Sequence, residues 1–160
     1  MFTIVLSFAC AVGTGCDYEE HKIVDFHNPR VASSMCSALS RMLMSELTAK
    51  DKEREPLFRC LDSDDPKNAG RKLYVDRSNE TDMLIELCPY DERSGRFKKQ
   101  GSPECNVESV ATFYGSNAST LCANRATRIE PMYTFSYDIR ALDGHLSCLT
   151  VGPGSESDAL

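Results

Sequence analysis

Eight cysteines spread along the whole 160-residue chain restrict its folding more than any other feature: Cys10, Cys16, Cys36, Cys60, Cys88, Cys105, Cys122 and Cys148. No two of them have the Cys-x-x-Cys spacing that zinc or dithiol chemistry needs, so no metal and no cofactor are expected. Cysteines scattered this evenly read as a disulfide framework, which belongs to an oxidising compartment. Each bridge stabilises by about 2–4 kcal/mol, largely by constraining the unfolded chain.

The N-terminus agrees with that compartment. Met1 to Val12 carries no charge, small residues follow at Gly13 to Gly15, and acids begin at Asp17. This pattern predicts a secretory signal peptide over residues 1–15, cut after Ala11 or after Gly15. The run is too short to span a bilayer, which takes about 20 apolar residues. A buried N-terminal strand is the competing reading, because no Lys or Arg precedes Lys22. Either cut removes Cys10 and leaves seven cysteines, hence three bridges and one unpaired thiol. Asn79-Glu80-Thr81 and Asn117-Ala118-Ser119 are glycosylation acceptor triplets that fit a secreted chain.

Lys plus Arg is 18 and Asp plus Glu is 24, a net charge of −6 that argues against a nucleic-acid partner. The 41% hydrophobic content suffices for a core. The expected organisation is the leader, a single disulfide-stapled domain over 16–151, and a flexible polar tail over 152–160.

Periodicity and caps then suggest the elements. Asp17 with Glu20 resembles a capping box and predicts a short helix over 17–27. Asn28-Pro29 predicts a helix start, and Met35, Leu39, Met42, Leu43 and Leu47 form one helical stripe, so the helix should run over 29–50. A short strand is expected at 73–75, a third helix over 80–87 capped by Ser78 or Asn79 and ending at Cys88, and a polar loop over 89–104. Strands follow over 107–114 and 133–139. Asp143-Gly144 reads as a type I′ hairpin turn into a return strand over 145–151. That strand should turn Cys148 to the core and His145 away from it. The expected fold class is α+β, with helices in the N-terminal half and an antiparallel β-hairpin sheet in the C-terminal half, stapled by disulfides.

Motifs for chemistry are sparse. The three histidines are His21, His27 and His145. Phosphate-binding glycine motifs, a Gly-x-Ser-x-Gly elbow and His-Glu-x-x-His are all absent from the sequence. If folding joined His27 and His145, they would form the acid–base pair of a small secreted nuclease-like hydrolase, with Lys22 beside a phosphate. The bland alternative is two unrelated surface histidines, and no catalytic residue is assigned.

The run from Glu20 through His27-Asn28-Pro29-Arg30 to Ala32 resembles the opening helix of CAP (SCP/TAPS) domains. Gly144-His145 is similar to the Gly-His motif of that family, and Cys148-Leu149-Thr150-Val151-Gly152-Pro153-Gly154 is loosely similar to its C-terminal run. Some coccidian CAP-like surface antigens end with a comparable Cys-Leu-Thr stretch. The resemblance implies an α-β-α sandwich that binds sterol, lipid or protein, with His27 and His145 in a shallow cleft. The functional expectation is a secreted, cysteine-rich effector or antigen that binds an extracellular protein or a small apolar ligand, with no membrane span.

Overall fold

A period of two runs through the first residues: Phe2, Ile4, Leu6 and Phe8 alternate with Thr3, Val5 and Ser7. A strand puts such residues on opposite faces. In a computed structural model that describes residues 1–29, 32–132 and 142–151, they form strand β1 (Phe2–Ala9). Six more strands follow: β2 (Tyr18–Phe26), β3 (Leu57–Asp62), β4 (Glu80–Asp91), β5 (Arg96–Phe97), β6 (Asn106–Tyr114) and β7 (Leu142–Val151). All pair antiparallel, in the spatial order β3-β1-β2-β6-β4-β5, with β7 also on β4. The two α-helices among the described residues are short: α1 (Ala32–Ser45) and α2 (Ala118–Asn124).

Register shows that both helices lie on one face of this sheet. Residues directly opposite in a ladder share a face. Cys60 faces Ile4, Ile4 faces Val24 and Val24 faces Phe113. Two residues along β2, Phe26 faces Ala111, Ala111 faces Met83, and Met83 faces Cys148. Cys60 is bonded to Cys36 of α1, and Cys148 to Cys122 of α2. Between helices and sheet lies one core, with Phe26, Phe113, Ile4, Leu39, Met83 and Ile85 fully buried. A register shift at Met83/Leu84 leaves an extra residue in β6, so consecutive Val110 and Ala111 are both buried.

Several expectations are corrected. The fold is mainly an antiparallel sheet built by both halves of the chain, not helices first and strands second. Nor is it an α-β-α sandwich, since both described helices share one face. Residues 17–27 are β2 and not a helix, because Val24 to Phe26 pair with β6 while the whole strand pairs with β1. Residues 80–87 belong to β4: Thr81, Met83, Ile85 and Leu87 are buried while Asp82, Leu84 and Glu86 are less so. In both segments tertiary pairing overrides a weak capping signal. The long helix stops at Ser45, five residues short of its expected end. The polar loop starts inside β4 and contains β5, where Tyr90 pairs with Phe97. The strand at 73–75 is a single bridge between Tyr74 and His21.

The strand over 107–114 is present as β6. Asp143 and Gly144 make no turn; both lie within β7, opposite Cys88 and Leu87. A Cβ on Gly144 would stand 3.1 Å from Ile85 Cδ1, so close packing explains that glycine. The expected strand at 133–139 and the tail at 152–160 lie outside the described residues.

The segment read as a leader and strand β1 are the same residues. β1 lies between β3 and β2, and its Ile4 and Val5 are fully buried. Cys10 is bonded to Cys16 across the β1–β2 connection, and Cys88 to Cys105, so all eight cysteines are paired. Loss of residues 1–15 would leave Cys16 as the single unpaired thiol. Thiol titration of the denatured, unreduced 160-residue chain is therefore expected to find none, and a chain lacking residues 1–15 to find one, mapped to position 16 by alkylation. Gly144→Val is expected to cost about 1–3 kcal/mol in denaturant unfolding, through overpacking against Ile85.

Candidate ligand-binding site

The connection from α1 to β3 sets up an open apolar hollow. Past Ser45 the chain turns at Thr48, whose N–H and Oγ1–H both donate to Asp51 Oδ2, at 2.9 and 2.7 Å. These bonds, the backbone one foremost, hold the Asp51 carboxyl below its ordinary pKa. A 3₁₀ turn over Asp51–Arg54 follows, and Glu55 takes a left-handed conformation (φ 52°) that swings the chain into β3. The connection thus arches from α1 to β3, with the Arg54 side chain reaching back to β1.

Beneath the arch is a trough of about 620 Å³. Its apolar walls are Leu6, Phe8, Leu47, Pro56 and Phe58, and its charged groups are Lys50, Asp51, Glu53 and Arg54. Leu6 and Phe58 are ladder partners, and the same two residues line a smaller hollow of about 230 Å³ with Ile23, Leu43 and Leu121. Arg54 lies over the Phe8 ring, 4.5 Å from its centre, and its Nε–H donates to the Ala9 carbonyl at 3.0 Å. Phe8 stacks on His21 at 4.9 Å, and His21 stacks on Tyr74 at 5.3 Å. His21 Nε2 also lies 3.4 Å from Glu19 Oε2.

The histidines singled out from sequence lie elsewhere. His27 is exposed just past β2, with its Nε2 3.2 Å from Ser109 Oγ. His145 is in β7 opposite Glu86, with its Nε2 2.9 Å from Asp143 Oδ2. Strands β6 and β4 separate them, and three strand spacings amount to about 14 Å. The hollow beside His145 is lined by Leu84, Glu86, Gln100, Val107, Leu146 and Ser147, without His27. The fold therefore does not join these two histidines into an acid–base pair. Lys22 is engaged elsewhere too, 3.2 Å from Asp25.

That Asp25 is the centre of a buried polar cluster which sequence reasoning missed. Its carboxylate accepts from Thr3 Oγ1 at 2.7 Å and Tyr114 Oη at 3.0 Å, besides the Lys22 ammonium. Burial, and then the Asp25 charge, push the Tyr114 phenol well above its ordinary pKa. The only available signal was polar residues at alternate positions of β1 and β2, a pattern shared with any solvated strand face.

Glu86, Cys88 and Cys105 bring potential ligand atoms within 4.8 Å of one another. The two sulfurs are bonded to each other, so they offer no thiolate and the group is not a metal site. Of the glycosylation candidates, Asn117 is exposed at the start of α2. Asn79 is half-buried, its carbonyl accepts from Gly115 N–H at 3.1 Å, and Thr81 of its triplet is fully buried. Among the described residues no helix is long and apolar enough to cross a membrane.

No family model, curated protein or solved structure matches this chain.

The Tyr114 shift has a sign that can be checked. The folded state holds the neutral phenol above its unfolded pKa of 10.0, so this stability is complete below pH 10 and is lost as pH rises beyond it. Tyr114→Phe is expected to lose about 1–2 kcal/mol near neutral pH, from one donor to a buried carboxylate. It should also show a shallower loss than the unaltered chain above pH 10, measured by urea unfolding across pH.

Proposed function

We propose that this chain is an extracellular, disulfide-stapled binding protein that holds a small apolar ligand in the trough between β1, β3 and the 51–56 connection. The observation that carries this reading is the trough itself. Its volume falls in the range of about 300–1,000 Å³ that ligand pockets occupy. Its walls are leucine, phenylalanine and proline, and its charges belong to the single arching connection.

Four disulfides support the compartment, because such bonds persist in secreted and surface proteins and are rare in reducing cytosol. The effector or antigen type fits a chain whose chemistry is binding, and Asn117 is the acceptor placed for a glycan. The trough needs Leu6 and Phe8, so this reading is of an exported chain that keeps β1; a leader cut after residue 11 or 15 would remove those walls and would show in the N-terminal residue and in a free thiol at Cys16. The reading assigns no catalytic step. His27 and Ser109 form an exposed pair, and no carboxylate bonded to His27 is seen among the described residues to orient it as a base.

The test uses an uncharged fluorescent probe, N-phenyl-1-naphthylamine. Saturable enhancement at one site per chain is expected, with affinity reduced at least about tenfold in Leu47→Glu, which places a carboxylate on an apolar wall. Leu47 lies past the end of α1, so thermal unfolding should move little. Non-saturable binding, or equal binding in Leu47→Glu, would overturn the proposal.

A further inference from the structure

We infer that the trough takes an amphiphile with an anionic head, a single-chain alkyl carboxylate, whose head is bound by Arg54 and whose tail lies on Leu6, Leu47 and Phe58. This deepens the binding reading above and rests on it.

The argument starts from how Arg54 is held. Its Nε–H is fixed to the Ala9 carbonyl and its plane lies over Phe8. Phe8 is in turn backed by His21 and Tyr74, so the platform is a column of three stacked rings. Two restraints on one side chain remove most of its rotamer freedom before any ligand arrives, which lowers the entropic cost of binding. The two terminal Nη groups keep their N–H donors, and among the described residues no carboxylate lies within 4.0 Å of them. Arg59, Arg71, Arg77 and Arg125 are different, since each has an acidic partner.

The other charges of the rim do not satisfy Arg54. Asp51 is committed to Thr48. Glu53 forms no ion pair with Arg54 or Lys50 among the described residues, and Lys50 likewise has no acidic partner there. A guanidinium with a free fork matches a planar carboxylate in two parallel hydrogen bonds. Being weakly hydrated, it also tolerates an apolar neighbour better than an ammonium does. Arg54 lines the same trough as Leu6, Leu47 and Phe58, an apolar surface that an alkyl tail would cover. An apolar molecule without a head can lie on the wall but leaves the Arg54 fork to water.

The experiment displaces N-phenyl-1-naphthylamine from the full chain with decanoate, decanol and decylammonium, all below micelle-forming concentration. Decanoate is expected to compete about tenfold better than decanol, as a charge-assisted hydrogen bond should provide, and decylammonium worse than either. In Arg54→Gln the decanoate-to-decanol ratio should fall toward one, and in Arg54→Lys, which keeps the charge without the fork, it should fall part of the way. Equal competition by all three amphiphiles in the unaltered chain, or a ratio unmoved by Arg54→Gln, would overturn the anionic head and leave the apolar trough standing. Displacement by none of them would overturn both. The comparison of the three amphiphiles in the unaltered chain decides the matter even if a variant fails to fold.

Discussion

A seven-stranded sheet with one apolar face needs more cover than two short helices supply, and much of this structure follows from that shortfall. Five strand spacings, from β3 to β7, make the sheet about 24 Å wide, while a helix covers about 10 Å. Helices α1 and α2 alone are therefore too narrow for it, and among the described residues the 126–132 segment adds Ala126 and Ile129 to the cover. Disulfides compensate: Cys36–Cys60 pins α1 over β3, and Cys122–Cys148 pins α2 over β7, at opposite sides of the sheet. The core is continuous under the helices, and Ala126 and Ile129, just past α2, extend it. The trough under the 51–56 arch lies where the helical layer has run out but the apolar strand faces have not.

The opposite face is handled by polarity. Thr3, Asp25, Tyr114 and Lys22 answer one another there, and Thr112 donates to Asp82 at 3.0 Å one strand further on. A carboxylate as buried as Asp25 is tolerable only because three groups satisfy it. The segment that carries Asn68, Arg71 and Leu73 folds over Val5 and Leu61, which completes the burial of β1 from that side. β1 thus has a strand on each edge and cover on much of both faces, with Leu6 and Phe8 left at the trough. A single run of eight residues ties the N-terminus to β2, to β3, to the core and to the polar cluster.

Legibility in the sequence followed the range of the interaction that decides each element. The stripe Met35, Leu39, Met42 and Leu43 was readable as a helix because 3.6-residue periodicity is local and α1 buries one side only. β6 was readable from its β-branched and aromatic residues. β2 and β4 were misread because Asp17/Glu20 and Ser78/Asn79 imitate helix caps, while the evidence for a strand is a partner dozens of residues away. In β4 the alternation of Thr81, Met83, Ile85 and Leu87 was present, but the apolar Leu84 between them also suits a helical face. Of the candidate site, Leu47 was visible only as part of the helical stripe, and Phe58 carried no signal. Arg54 over Phe8 joins residues 46 positions apart, and no local pattern announces such a contact.

The sequence by itself determined the chemistry of cross-linking: evenly scattered cysteines without metal spacing can be little else than staples, because the covalent options depend on residue type and spacing alone. It also determined which short runs alternate and which follow a helical period. Tertiary structure alone decided the partners. Cys10 with Cys16, His27 apart from His145, and β1 in the interior of the sheet all depend on register between distant strands. Register is set by the joint burial of many side chains at once, and no window of the sequence contains that sum.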